Sequence, residues 1–252
     1  GHYCIRRKNE NSPPELWEGA DKNKDQSYFL ARISKKQLEK ARFPIGEMPK
    51  PRVRQIAREF NLPVAEKKDS QGICFLGKVK ISEFLSNFLE DKPGEIVTTH
   101  GSVVGEHKGL HRYTLGQRRG IGVPSNTDHE NFVVTGKDEG NNQLIVAFES
   151  EKESTLWGKR FEIESLSFLT DSPPVSPTRL LGKVRYRDPS VSLLFRPLGM
   201  SKAEIVFDQP QRAITPGQVL ALYEEERLIG GGTYCLSELG RADQSLIHEI
   251  SA

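Results

Sequence analysis

From Pro93-Gly94 onward the chain breaks into short runs of alternating apolar and polar residues, punctuated by glycine and proline. This texture restricts the fold more than any other feature. Side chains alternate across a strand, so a period of two fits a sheet with one buried face, and Gly/Pro clusters supply the turns. Glu95–Thr99, Val103–Gly105, Phe132–Lys137 and Gln143–Val146 read as strands of a small β-rich region, with a hairpin turn at Asn141-Asn142. Phe161–Leu169, Leu180–Arg187, Ser192–Arg196, Ala203–Phe207, Gln218–Tyr223 and Leu228–Tyr234 read as strands of another, separated by segments such as Ser172-Pro173-Pro174. Strands at this spacing predict a small barrel or sandwich. Gly230-Gly231-Gly232 reads as a tight turn, because the Lys-Ser/Thr pair of a phosphate loop does not follow it.

The stretch before residue 82 differs and reads mainly as loops and helices. Ser34 caps a helix over Lys35–Arg42. Pro51 begins a second, where Val53, Ile56, Ala57 and Phe60 share one face, and Asn61 is its stop. Core packing accounts for that face, and Arg52, Arg54 and Arg58 read as a solvated one. Ser82 caps a third helical segment carrying Phe84, Leu85, Phe88 and Leu89. No internal repeat or low-complexity tract is evident.

A length of 252 residues allows two or three domains with a sizeable core. No apolar run approaches a membrane span, and no secretory signal is visible. The first residue is glycine, which is expected of a processed, tagged or truncated product. With 36 basic and 34 acidic residues the net charge is only +2, so any nucleic-acid surface must come from local clustering of Lys and Arg. Three widely separated cysteines exclude a disulfide framework and a Cys-x-x-Cys metal site. A reducing, cytoplasmic setting is expected, in which any disulfide is transient and catalytic.

Within Lys67-Lys68-Asp69-Ser70-Gln71-Gly72-Ile73-Cys74-Phe75-Leu76-Gly77, one cysteine lies between two glycines and close after two lysines. Nearby cations raise the thiolate fraction, and glycines admit a close ligand, which suits sulfur chemistry. A buried small hydrophobe between Ile73 and Phe75 is the other reading. Lys24-Asp25-Gln26 offers a cation, an acceptor and an amide able to meet a phosphate and a base edge, or a helix cap formed by Asp25. Arg185-Tyr186 sets a cation beside a ring, as a splayed nucleotide needs, or lies in a strand with one side chain in and one out. Gln117-Arg118-Arg119-Gly120-Ile121-Gly122 places two guanidinium groups in a Gly-rich turn, for phosphate or for solvent. His100, His107 and His111 lack the spacing and ligand number of a zinc site, so no metal is expected. Cys4 and Cys235 read as packing thiols.

The Ser70–Gly77 string resembles the second-cysteine motif of the tRNA-specific 2-thiouridylases. The resemblance runs in order through Gly1-His2-Tyr3, Lys24-Asp25-Gln26-Ser27-Tyr28-Phe29-Leu30 and Phe43-Pro44-Ile45-Gly46. It continues through Tyr113-Thr114-Leu115-Gly116-Gln117-Arg118-Arg119-Gly120, Arg185-Tyr186-Arg187, Thr215-Pro216-Gly217-Gln218 and Gly230-Gly231-Gly232. It implies an ATP-dependent enzyme, with Mg accompanying the nucleotide. Such enzymes adenylate the wobble uridine (U34) of a tRNA and deliver sulfur from a cysteine persulfide loaded by a cysteine desulfurase or sulfur-relay protein. Cys74 matches the persulfide carrier. Lys24, Asp25, Gln26, Arg185 and Tyr186 match tRNA contacts, and Gly1 matches a glycine near the nucleotide.

The implied fold is multidomain α+β: the end of a doubly wound α/β nucleotide domain (1–82), a small β-rich domain (83–149) and a C-terminal β-barrel (150–252). The family's Ser-Gly-Gly-Val-Asp-Ser type loop does not occur in this sequence. The expectation is therefore the later portion of a sulfurtransferase, inactive alone and without a tightly bound cofactor. A non-catalytic RNA-binding module and a scaffold for sulfur-relay proteins are the alternatives.

Overall fold

The computed structural model describes residues 2–8, 12–67, 84–123, 131–148 and 156–235. Contacts divide the chain into one unit spanning Gly1–Lys67 and Gly158–Ala252 and a second spanning Lys68–Trp157. The expected domain limits at 82/83 and 149/150 fall outside the described residues.

The first unit opens with a strand pair that the sequence does not announce. Instead of loops and helices alone, β1 (Cys4–Arg7) and β2 (Glu15–Glu18) form an antiparallel pair. A 3₁₀ turn over Ser27–Leu30 comes next. Helix α1 (Lys35–Lys40) carries a capping box in which Ser34 accepts from the Gln37 N–H and the Gln37 side chain accepts from the Ser34 N–H. Helix α2 (Lys50–Glu59) ends as expected at Asn61, which takes φ +50°. The Asn61 N–H bonds the Arg58 carbonyl and the Leu62 N–H bonds that of Ala57, a Schellman closure. The core-packing reading of α2 does not hold. None of its residues is fully buried, and Phe60 just beyond it is 73% exposed.

The second unit holds β3 (Gly94–Thr98), β4 (Val103–His107), β5 (Phe132–Asp138) and β6 (Gln143–Phe148). They form a sheet ordered β4-β3-β6-β5, with β3 and β6 parallel. The β5–β6 hairpin turns as expected at Asn141-Asn142, with Asn142 at φ +52° and Asp138 accepting from the Asn141 N–H. Ile96, Val134, Leu144 and Val146 are its fully buried centre.

The rest of the first unit is β7 (Trp157–Phe168), β8 (Thr178–Lys183), β9 (Val191–Pro197), β10 (Lys202–Arg212), β11 (Val219–Glu224) and β12 (Arg227–Tyr234). Pairing runs β12-β11-β8-β9-β10-β7 and back to β12, which closes a six-stranded barrel. Ile163, Leu193, Phe195, Ile205, Phe207, Leu220 and Leu222 belong to one core cluster. On β11 the alternate residues Ala221 and Tyr223 belong to another, shared with Leu16, Ala31 and Leu38 of the amino-terminal segment. Both faces of β11 are therefore covered, which is why Val219–Tyr223 is almost uninterruptedly apolar.

Closure falls on β12, whose second edge is divided. Arg227 and Leu228 pair with Trp17 and Leu16 of β2, and Gly230–Tyr234 pair with β7. Gly230-Gly231-Gly232 is thus strand, not the expected turn. A Cβ on Gly230 would lie 2.1 Å from the Ser167 carbonyl oxygen, and one on Gly231 would lie 2.5 Å from that of Leu220. Only glycine lets these backbones approach so closely.

Candidate nucleic-acid interface

Two expected contact segments, far apart in sequence, meet in the first unit. Asp25 follows the Asp21–Lys24 turn and precedes the 3₁₀ turn. Its Oδ1 accepts from the backbone N–H groups of Gly19 (3.0 Å) and Ser27 (3.1 Å). Its Oδ2 accepts from the Ser27 hydroxyl (2.8 Å) and from Lys183 Nζ (3.0 Å), at the end of β8. Since the Ser27 hydroxyl donates to Asp25, the Tyr223 hydroxyl 3.0 Å away donates to Ser27. Lys183 also reaches Glu18 at 2.7 Å, and Glu18 pairs with the more exposed Lys22. Burial alone lowers the Lys183 pKa, but the Glu18 hydrogen bond and the Asp25 charge outweigh it and raise the value. Burial likewise pushes the Tyr223 phenol well above its ordinary range. This network was invisible in sequence, because Glu18, Lys183 and Tyr223 carry no local motif.

Gln26 is also engaged with the fold. Its side-chain carbonyl accepts from the Tyr3 N–H at 3.2 Å, and its own N–H donates to the Tyr3 carbonyl at 2.9 Å. Lys24 is half-buried, and its N–H bonds Asp21. The cap reading of Asp25 is met in part: the residue preceding the 3₁₀ turn is Gln26, yet Asp25 accepts from Ser27.

Beside the network, aromatic rings join the same segments. The Tyr28 hydroxyl donates to the Val219 carbonyl at 2.8 Å. Phe29 is 53% exposed, and its ring centroid lies 4.5 Å from that of Tyr186. The strand expected over Leu180–Arg187 stops at Lys183, so Arg185 and Tyr186 sit in a connection. Asp188 N–H bonds the Arg185 carbonyl across a turn whose third residue, Arg187, takes φ +75°. One guanidinium nitrogen of Arg185 donates to the carbonyls of Arg212 (2.8 Å) and Ala213 (2.6 Å).

In the second unit, Gln117 organises the expected Gly-rich loop. Its side chain accepts from the Thr114 N–H and donates to the Arg119 carbonyl, leaving Arg118 and Arg119 exposed. His107 faces the Asn142 carbonyl and His111 faces Asp91. Among the described residues no group of three metal-ligating side chains converges, and no helix is long and apolar enough to cross a membrane.

Cys74 and Gly1 lie outside the described residues, as do Lys68–Gln71. Cys4 and Cys235 are free thiols. Burial, helped by the Asp25 charge, pushes Cys4 up to about 12, and burial with Glu164 and Glu162 raises Cys235. Neither is a ready thiolate. The glycine triplet lies within a paired strand, and neighbouring backbone oxygens occupy the Cβ positions of Gly230 and Gly231, so it does not form a phosphate-cradling loop.

The closed barrel and the small four-stranded sheet, with few helices, define a multidomain α+β protein. Three family models match in succession: a tRNA methyl transferase HUP domain over residues 1–78, a tRNA methyl transferase PRC-barrel domain over 82–148 and an aminomethyltransferase β-barrel domain over 158–234. The chain is 42% identical over 234 residues to the tRNA-specific 2-thiouridylase MnmA of Proteus mirabilis, covering 92% of this chain and 63% of that protein. It is 43% identical to that of Haemophilus ducreyi (92% and 60%) and 44% identical to that of Ligilactobacillus salivarius (92% and 63%). The chain belongs to the tRNA-specific 2-thiouridylase family of the MnmA type. It spans about three fifths of the length of these relatives.

Proposed function

We propose that this chain serves a tRNA-uridine 2-sulfurtransferase, the ATP-dependent enzyme that thiolates the wobble uridine (U34), with Cys74 carrying the persulfide. Tethering of the Lys24–Gln26 segment to the barrel by the Lys183–Asp25 ion pair, 158 residues apart in sequence, is the observation that carries the tRNA-binding part. It makes one surface of two segments that are each too short to hold RNA. Lys24, Gln26, Arg185 and Tyr186 belong to that surface, and Asp25 lies beneath it. The family models are described as methyl transferases, whereas the relatives are thiouridylases. The thiolation reading is preferred because those relatives match nearly the whole chain and because Cys74 sits in the second-cysteine motif.

In the reaction, the terminal sulfur of the Cys74 persulfide attacks C2 of uridine as the activated oxygen departs. A second thiol then takes Sγ of Cys74 into a disulfide, which releases the thiolated base. The raised pKa values of Cys4 and Cys235 argue against either as that thiol. A cysteine desulfurase or relay protein loads the persulfide in a cytoplasmic setting. ATP, with Mg, would bind at a nucleotide site to which the family resemblance assigns Gly1.

In an active enzyme containing this chain, Cys74→Ser abolishes 2-thiouridine formation while tRNA-dependent pyrophosphate release persists. Normal thiolation by that variant would refute the role of Cys74. The 252-residue chain by itself is expected to release no pyrophosphate, because no phosphate loop occurs in its sequence.

A further inference from the structure

We propose that Phe29, Tyr186 and Arg187 are the groups that touch the nucleic acid, a ring pair for an unstacked base and a guanidinium for the neighbouring phosphate, while Asp25 and Arg185 are positioning residues. The inference rests on the tRNA-binding reading above and divides labour within that surface. Asp25 has no capacity left for a ligand. Its side chain is 4% exposed, and both oxygens already accept two hydrogen bonds each. Arg185 directs one terminal nitrogen at two backbone carbonyls and the other toward Asp188, so its guanidinium fixes the 185–188 turn. That turn carries Tyr186 and Arg187 at its two central positions.

Phe29 is a large apolar ring left half in solvent, tilted 43° against Tyr186. Its backbone is fixed from behind by the Tyr28 hydroxyl on β11. Bases stack on such rigid, exposed rings whatever their sequence. Arg187 is exposed, its guanidinium 5.3 Å from the Tyr186 ring centre, and among the described residues no carboxylate pairs with it. It holds φ +75°, a conformation that disfavours a long side chain. A cation kept at a strained turn position, beside a stacking platform, has the geometry of a phosphate contact next to a stacked base.

The test is tRNA affinity of the 252-residue chain across a salt series, alongside thermal melting. Phe29→Ala and Arg187→Gly each weaken binding about tenfold, and Phe29→Trp retains it. Arg187→Gly also reduces the salt slope by about one, while its melting temperature holds or rises because glycine accepts the positive φ. Asp25→Asn loses affinity and thermal stability together, with the salt slope unchanged. Wild-type affinity and slope in Arg187→Gly, or wild-type affinity in Phe29→Ala, would overturn the assignment. A wild-type chain that binds no tRNA at low salt would instead overturn the tRNA-binding reading on which it rests.

Discussion

The Lys24/Arg185 seam and the Gln117–Gly120 loop look alike in sequence, each pairing cations with an amide. In the folded chain they are opposites. At the seam, Asp25, Lys183 and Arg185 are tied into the scaffold, and only a few groups face outward. In the loop, the Gln117 side chain and backbone bonds to Val134 organise the chain, and Arg118 and Arg119 are exposed. A basic motif can therefore act as framework or as contact, and burial decides which. Changes at the framework residues Asp25, Lys183 and Arg185 should disturb folding, whereas loss of an exposed arginine in the loop should leave folding intact.

Replacing Lys183 with methionine breaks this contrast hardest. It leaves Asp25 and Glu18 buried without their shared cation, and loss of one partner from such a site costs about 3–5 kcal/mol. Urea unfolding should register the loss. The pKa of Lys183 is raised in the folded chain, so its contribution is complete below the ordinary lysine value. It fades as pH climbs through the raised value, above roughly 10.4. Wild-type stability should decline there more steeply than that of Lys183→Met.

Two glycines sharpen the comparison. Gly230→Ala forces a Cβ to 2.1 Å from the Ser167 carbonyl and should cost about 3 kcal/mol or more. Gly120 has φ +71° and open space around its missing Cβ, so Gly120→Ala should cost only about 1 kcal/mol. Equal losses in calorimetry would remove the distinction between packed barrel strand and open loop. Smallest of all is Arg119→Ala. Its stability should stay within about 0.5 kcal/mol of wild type, and its effect should appear only as a shallower salt dependence of tRNA binding.

The barrel is largely legible in the sequence because its strands carry their own signal. In Val191–Pro197 burial alternates: Leu193 and Phe195 are buried, Ser192 is exposed, and Leu194 and Arg196 are only partly covered. The β1–β2 pair is not legible, since four-residue strands rich in charge owe their conformation to β12, far along the chain. The strand expected over Leu180–Arg187 is too long because nothing in Arg187 announces a positive φ. The glycine triplet misleads because glycine marks both turns and close approach, and sequence does not separate them. For the interface, the motifs identify the segments. They do not reveal that Asp25 turns inward, which depends on Lys183 and Tyr223 arriving from other strands.

The divided edge of β12 has a consequence for how the chain opens. Arg227 bonds Glu15 across 212 residues, and closing a flexible loop of that size costs about 5 kcal/mol. Barrel strands lie nearer to one another in sequence, so they can assemble first and shorten the effective loop before β2 docks. The order of loosening is the reverse. Amide protons of β2 and of the 3₁₀ turn should exchange through an excursion that leaves the barrel closed. Release of the amino-terminal segment would part Phe29 from Tyr186 in a single event, so occupancy of the paired-ring state is set by the free energy of docking a four-residue strand.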